Sequence, residues 1–202
     1  MSAPAVGVLA LQGDVREHLH ALSQVGARPL AIRTASELDG VDALIVPGGE
    51  STTIAKLART FEVFEAVADR IKTGMPTFGT CAGMVLLADR LRDGIEGQET
   101  FGGLDITVRR NAFGRQVDSF ESDVQFGIDD PAFDQPVHAV FIRAPWVEQV
   151  GDDVDVLAAV AVPGIGDRIV AVQQGSVVAT SFHPEVSDDL RLHRYFLDLI
   201  TG

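Results

Sequence analysis

The sequence predicts an α/β fold, a three-layer sandwich whose mostly parallel central sheet is covered by helices on both faces. Apolar runs typical of buried strands alternate with amphipathic segments through the first half of the chain. Several of these runs end in glycine, and the second half carries shorter β-like stretches that predict small antiparallel additions. With 202 residues and no linker-like segment, residues 1–202 are expected to form one domain.

The first strand and helix set the pattern. Residues 5–13, AVGVLALQG, form a nearly continuous apolar run that ends in glycine, which suits a buried parallel strand. Residues 14–26 then place apolar side chains on one helical face, with Asp14 as the predicted N-cap and Gly26 as the predicted stop. This strand and helix are the first repeat of a βα series.

The same alternation continues to residue 91 and implies a parallel sheet. Ligands of such sheets bind beyond the carboxyl ends of the strands, where Gly13, Gly48–Gly49 and Gly79 fall. The further predicted strands are 28–33, 41–49 and 75–80, and the further predicted helices are 50–60, 61–74 and 81–91.

The second half is less regular and predicts antiparallel additions followed by a return to the main sheet. Its closing segment has an apolar helical face that includes Leu192 and Phe196. The predicted strands are 104–110, 137–145, 154–162, 168–174 and 177–185, and the predicted helix is 188–202.

Composition and charge exclude several functional classes. The formal net charge of −13 predicts a surface that repels phosphate backbones and anionic lipids, so neither nucleic acid nor membrane binding is expected. No apolar run reaches the ~18 residues that a membrane helix needs. Residues 1–14 have no basic stretch before their apolar run, so they are not expected to be a secretory signal. A single cysteine without an export signal predicts a cytoplasmic protein.

That cysteine, Cys81, lies in the stretch FGTCAG, where a predicted strand ends and a predicted helix begins. A lone cysteine is commonly a small buried packing residue. Here, however, Gly79 and Gly83 permit a tight strand-to-helix turn, and the free amides of a helix N-terminus favour a thiolate and can stabilise an oxyanion. The arrangement follows the logic of the nucleophile elbow of hydrolases, so the motif predicts a cysteine nucleophile.

One of the five histidines is a candidate base for such a nucleophile. His183 follows an apolar strand in SFHPE, and Pro184 favours extended backbone at His183, so Glu185 is predicted to lie beside the imidazole. A carboxylate there can orient the ring, as the third member of a catalytic triad does. The same residues would also be found at an ordinary turn that follows a strand, without any catalytic role. The remaining histidines have plainer explanations: His18, His20 and His193 are expected on exposed helix faces, and His138 opens a strand.

The stretch PGGES, residues 47–51, links the third predicted strand to the next helix. It does not match a phosphate-binding loop. As a generic turn it would provide a helix cap at Ser51 or Thr52. As a functional loop, Gly48 and Gly49 would bring backbone amides to an oxyanion beside Cys81.

Together, PGGES, FGTCAG and SFHPE resemble the class I, triad-type glutamine amidotransferases, which have a flavodoxin-like fold. The chain resembles most the glutaminase subunits of pyridoxal 5'-phosphate synthases. That narrower resemblance rests on the stretches LALQGDVREH, PGGESTTIAKL, RRNAFGRQVDSFE and VFIRAP.

The resemblance implies hydrolysis of L-glutamine to L-glutamate and ammonia, without a cofactor or a metal. Cys81 would be the nucleophile, His183 the general base and acid, and Glu185 the orienting acid. The amides of Gly48 or Gly49 and of Ala82 would form the oxyanion hole, and Gln12 would couple the site to the partner. The implied glutamine-binding residues are Gly49, Glu50, Ser51, Arg110, Ile142 and Arg143.

The partner that the resemblance implies is a (β/α)8-barrel synthase subunit, which receives the ammonia in an assembly of twelve copies of each subunit. Two alternatives stay open on the sequence. Another synthase, such as that of histidine biosynthesis, could be the recipient of the ammonia. Alternatively, the chain could be a non-catalytic module with Cys81 as a redox sensor, against which the intact Cys, His and Glu set argues.

Overall fold

The computed structural model describes residues 3–110, 119–162 and 164–202. Its helices are α1 (Val15–Gln24), α2 (Ala35–Leu38), α3 (Ser51–Thr60), α4 (Phe64–Lys72), α5 (Ala82–Leu87) and α6 (Arg191–Thr201). Its strands are β1 (Ala5–Leu9), β2 (Arg28–Ile32), β3 (Ala43–Val46), β4 (Thr77–Thr80), β5 (Ala88–Arg92), β6 (Leu104–Arg109), β7 (Ser119–Val124), β8 (Val137–Ile142), β9 (Trp146–Val150), β10 (Asp155–Val162), β11 (Gly166–Gln174) and β12 (Val177–Thr180).

The main sheet runs in the order β2-β1-β3-β4-β12-β11-β9-β6-β5, with β10 paired to β11. From β2 to β12 every pair is parallel, as the βα alternation predicts. Beyond β12 the pairs β12–β11, β11–β9 and β9–β6 are antiparallel, and β7 and β8 form a separate antiparallel ribbon. These are the antiparallel additions that the second half of the sequence predicts.

Helices cover both faces of the parallel part of the sheet, and the alternation of side chains along a strand explains how. In β3, Leu44 and Val46 point into the core under α3, α4 and α5, whereas Ile45 points into the core under α1 and α6. All three side chains are buried. A strand apolar at every position therefore fits only the middle layer of a three-layer sandwich.

The predicted helix 81–91 is wrong in its second half. Helix α5 ends at Leu87, and Ala88 turns to extended backbone to begin β5, which pairs with β6. Local sequence favours a helix there, but tertiary contacts override it: Arg90 binds Asp105 at 2.6 Å across the strand pair. The amides of residues 101 and 102 donate to the carbonyl of Leu86 and close the helix end.

Smaller differences occur where the sequence signal is short. Helix α2 was not expected; it is held by a capping box between Thr34 and Glu37. Strands β7 and β9 were not expected either, since each depends on a distant partner. Among the described residues, no helix is both long enough and apolar enough to cross a membrane.

Candidate active site

Cys81 lies between β4 and α5, at the carboxyl edge of the sheet, with a backbone φ of 48° that non-glycine residues rarely adopt. The turn is tight because α5 packs directly on β3. A methyl group at Gly83 would lie 2.1 Å from the carbonyl oxygen of Val46. Cys81 is 7% exposed, and it lines two adjoining cavities.

His183 and Glu185 follow β12 on the neighbouring strand of the sheet. The Nδ1 atom of His183 lies 2.8 Å from Oε1 of Glu185, and both side chains are buried. The backbone differs from the expected extended segment, because Pro184–Val186 form a 3-10 turn with His183 as its N-cap. The turn still brings the carboxylate beside the ring.

The thiol of Cys81 lies at the same cavity as the imidazole of His183. It donates weakly to the carbonyl oxygen of Ile142 at 3.8 Å, and its sulfur interacts electrostatically with that imidazole. Because carboxylates occupy Nδ1 of the ring, Nε2 is the nitrogen left for the sulfur. The structure thus brings together the three residues predicted to form a triad.

Asp14 adds a second carboxylate to His183. Its Oδ2 lies 3.1 Å from Nδ1. Asp14 is the N-cap residue of α1, as predicted, but its side chain makes no capping hydrogen bond. Burial on its own lowers the pKa of His183, but its interactions with Asp14, Cys81 and Glu185 outweigh it and raise that pKa to about 12. The ring is therefore an imidazolium at neutral pH, which places a positive charge at the site.

Two further histidines lie behind Glu185. His18 and His193 were predicted on exposed helix faces, and this prediction is wrong: both are fully buried. Nε2 of His18 lies 3.1 Å from Oγ1 of Thr80 and 3.5 Å from Oε2 of Glu185, and its Nδ1 lies 3.0 Å from Nε2 of His193. Burial lowers the pKa of both rings, that of His193 to about 4, so both are neutral.

The glycine-rich loop, residues 47–51, is held by hydrogen bonds to the side chains of Thr80 and Gln12. The amide of Gly48 donates to Oγ1 of Thr80 at 3.0 Å, so it is not available to an oxyanion. Oε1 of Gln12 accepts from the amide of Glu50 at 2.7 Å. Of the three predicted oxyanion donors, this leaves Gly49, and Ala82 at the first position of α5, where amides have no intrahelical partner.

The predicted glutamine-binding residues include an ion pair. Oε1 of Glu50 lies 2.8 Å from Nη2 of Arg110, while its other oxygen accepts from the amide of Thr53 and caps α3. Glu50 is therefore the cap that was predicted at Ser51 or Thr52. Gln98 joins the group, because it accepts from Arg110 at 2.8 Å and donates to the hydroxyl of Ser51 at 3.0 Å.

Two adjoining cavities open at these residues. The larger, of about 310 Å³, reaches the triad and the segment around Arg143, whose φ is 44°. The smaller, of about 40 Å³, lies beside the N-terminus of α5. The larger is lined by Gln12, Asp14, Gly49, Glu50, Cys81, Ile142, Arg143 and His183. The smaller is lined by Gly49, Glu50, Ser51, Cys81, Ala82, Val85, Arg110, Arg143 and Pro145.

One group of side chains at the site has the composition of a metal centre. Ligand atoms of Asp14, His183 and Glu185 lie within 4.8 Å of one another. The two carboxylates already contact Nδ1 of the imidazole, which accounts for this spacing without an ion. The sequence-based expectation of no metal stays a prediction.

Sequence reasoning missed four residues at the site: Asp14, His18, Thr80 and Gln98. For His18 a signal existed, because it lies three residues after Val15 and four before Leu22, on the apolar face of α1. The contacts of Gln98 depend on a loop and left no pattern. Residues 111–118, within the stretch RRNAFGRQVDSFE, lie outside the described residues.

Comparisons with known proteins show the family to which the chain is similar. A model of the SNO glutamine amidotransferase family matches residues 8–201. A protein of a Nocardioides species, the pyridoxal 5'-phosphate synthase subunit PdxT, is 63% identical over 200 residues, covering 99% of this chain and 98% of the relative. The PdxT subunit of Rhodococcus opacus is 56% identical, and the match covers the full length of both chains.

Solved structures give the same picture of the fold. A crystal structure described as a glutamine amidotransferase superposes with a TM-score of 0.86 at 48% identity, covering 98% of this chain and 99% of that one. The structure of PurLQS from Thermotoga maritima superposes with a TM-score of 0.64 at 19% identity, covering 100% of this chain and 98% of that one, which shows likeness of fold alone.

Proposed function

Because the chain belongs to the SNO glutamine amidotransferase family, we propose that Cys81, His183 and Glu185 carry out its reaction, the hydrolysis of glutamine. The chain acts as the glutaminase subunit of a pyridoxal 5'-phosphate synthase, the function of the full-length relatives that it matches. The observation that carries the residue assignment is that Cys81 and His183 line one cavity, while Nδ1 of His183 lies 2.8 Å from Oε1 of the buried Glu185.

Glutamine binds with its side-chain amide over Cys81. The Glu50–Arg110 pair suits the charged end of the substrate, since the α-carboxylate can bind the guanidinium and the α-ammonium can bind the carboxylate. In this proposal the bound glutamine separates Glu50 from Arg110. The ion pair between the two side chains is then replaced by two ion pairs, one from each side chain to the substrate. Ser51, Ile142 and Arg143 complete the binding site.

The thiolate of Cys81 attacks the amide carbon, and the oxyanion is stabilised by the amides of Gly49 and Ala82. The imidazolium of His183 donates its proton to the leaving nitrogen, so ammonia departs and a γ-glutamyl thioester remains. The neutral ring then takes a proton from water, whose oxygen attacks the thioester. Glutamate leaves, and sulfur and imidazolium return to their first state.

The ammonia passes to a synthase subunit. We further propose that this subunit is a (β/α)8 barrel, that twelve copies of each subunit assemble, and that Gln12 couples the site to it, since Gln12 fixes the loop carrying Gly49. We also propose that residues 1–202 form one domain that works in the cytoplasm, where a reduced Cys81 persists.

Cys81→Ala tests the residue assignment. In the complex with the synthase subunit we expect glutamine hydrolysis to fall by a factor of at least about 10³, because no other group can form the thioester. Hydrolysis is measured as glutamate released, with circular dichroism as the control for folding. Glutamate release at a comparable rate by the folded variant would rule out the mechanism.

A further inference from the structure

A chain of buried polar groups runs behind the triad to the C-terminal helix. From His193 on α6 it passes to His18 on α1, then to Thr80 at the end of β4. Thr80 contacts both Oε1 of Glu185, at 3.4 Å, and the amide of Gly48. Neither histidine touches the cavity, so the proposed mechanism does not use them.

The hydroxyl of Thr80 determines how protons are arranged in this chain. A hydroxyl has one proton and two lone pairs. The amide of Gly48 can only donate, and so it takes one lone pair. An ionised Glu185 can only accept, and so it takes the hydroxyl proton. The remaining lone pair faces Nε2 of His18 at 3.1 Å, and therefore Nε2 must carry a proton.

The same reasoning fixes the second ring. A neutral His18 with a proton on Nε2 has a bare Nδ1, which must accept from Nε2–H of His193. The bare nitrogen of His193 is then Nδ1, and this is the buried nitrogen that has no hydrogen-bond partner among the described residues. The opposite tautomer of His18 would direct a lone pair at Oε2 of Glu185, 3.5 Å away, which is repulsive.

The charges around His18 favour this arrangement. Oε2 of Glu185 has no geometrically good hydrogen bond among the described residues, yet it is fully buried. A proton on Nε2 of His18, which lies 3.5 Å from it, partly compensates that oxygen. The other titratable groups that act on His18 are His193 and His183, and the ring also packs against Phe78.

We propose that His18 is a positioning residue for glutamine hydrolysis: its Nε2–H, oriented by His193, holds Thr80, and through Thr80 it fixes both Glu185 and the Gly48 amide. One side chain thereby sets the orienting acid of the triad and the loop that carries the oxyanion donor Gly49. This inference rests on the proposed triad. It adds a role for two helices whose histidines do not touch the substrate.

Substitution at His18, measured in the complex with the synthase subunit, tests this role. We expect His18→Leu to lower kcat about 10- to 100-fold, the range for loss of a supporting contact, with KM changed less than about twofold. In His18→Gln the side-chain amide nitrogen can replace Nε2–H, so most of kcat should return. His20→Leu is the matched control, because His20 lies on the exposed face of the same helix.

A folded His18→Leu enzyme with full kcat would overturn the proposal, as would a folded His18→Gln enzyme as impaired as His18→Leu.

A measurement on the unchanged protein tests the proposal even if the variants do not fold. Two-bond ¹H–¹⁵N spectra at neutral pH should show both His18 and His193 neutral with the proton on Nε2. A proton on Nδ1 of His18, or an imidazolium there, would overturn it. These spectra do not depend on Cys81, so the proposed function can fail separately, through Cys81→Ala.

Discussion

At the scale of single residues, His183 decides the charge of the site, because two carboxylates contact the same nitrogen of its ring. Glu185 is buried, whereas the side chain of Asp14 is 36% exposed at the cavity. A buried carboxylate needs fixed donors, and burial does raise the pKa of Glu185 against the opposing bond to His183. The partly exposed Asp14 can be changed with less structural damage.

Asp14→Asn should shift the pH dependence of the reaction. The carboxylate helps raise the pKa of His183 from its ordinary value to about 12, and the imidazolium is the acid that the leaving nitrogen needs. Removing the charge lowers that pKa, so the alkaline limb of the kcat/KM profile should move to lower pH by about one unit, or ~1.4 kcal/mol. The profile is measured with the synthase subunit present.

The exposed Asp153→Asn changes the net charge equally and serves as the control. The same raised pKa predicts a contribution to folding stability that is full below pH 6.5 and is lost as pH rises toward about 12. An alkaline limb that stays in place in Asp14→Asn would mean that this carboxylate does not support the imidazolium.

The residue scale also separates what the sequence could predict from what it could not. Cys81 and His183 each lie in a short motif at the end of a strand. Because the sites of parallel sheets lie beyond the carboxyl ends of the strands, this is enough to predict that the two residues are close together. Thr80 has no such motif, since its role depends on a distant histidine and a distant amide meeting one hydroxyl. His193, like His18, lies on the same helix face as buried apolar residues, and this spacing is the sequence signal that indicates burial of both histidines.

At the scale of elements, the packing of α5 on β3 places the nucleophile. Gly79 and Gly83 face each other across the turn, and a methyl group at Gly79 would lie 2.7 Å from the carbonyl carbon of Gly83. No larger side chain fits without moving backbone. The elbow at Cys81 is therefore fixed by close contact between helix and strand.

Gly83→Ala should destabilise the fold strongly. Its methyl group would meet the backbone oxygen of Val46 at 2.1 Å, and a backbone atom of a central strand cannot move aside cheaply. We expect the free energy of unfolding to fall by at least about 2 kcal/mol in chemical denaturation.

Gly40→Ala is the matched control, because its methyl group would have no atom nearer than the Glu37 carbonyl oxygen at 3.5 Å. Equal stability of the two variants would contradict the packing argument.

The element scale marks a second limit of sequence reasoning. Residues 88–91 are predicted as helix because their local preferences are helical, yet they belong to β5. What decides is non-local: pairing with β6 and ion pairs such as Arg92 with Glu148 at 3.1 Å. The buried strands β1 and β3 are predictable, because a strand apolar on both faces carries its signal in its own residues.

At the scale of the whole molecule, the predicted family and fold class are confirmed by the family match and the superposed glutamine amidotransferase. The sheet is what makes the site possible. It aligns the carboxyl ends of β1, β3, β4 and β12, which carry residues far apart in sequence. The reaction then needs a recipient for ammonia outside this chain.

The identity of that recipient is testable by exchange. We expect glutamine hydrolysis to rise when a pyridoxal 5'-phosphate synthase subunit is added, because Gln12 and the loop it fixes lie at the cavity mouth, where a partner can act on the oxyanion donors. A cyclase subunit of histidine biosynthesis should leave the rate unchanged. Activation by the cyclase alone would show that the recipient is wrongly assigned.

The central claim is that glutamine is attacked by one sulfur at this cavity, and affinity labelling tests it most directly. A chloromethyl ketone analogue of glutamine, added to the complex and mapped by peptide mass spectrometry, should alkylate Cys81 once per chain as activity is lost. Excess glutamine should prevent the reaction. Inactivation with Cys81 unmodified, or with the label on another residue, would contradict the account.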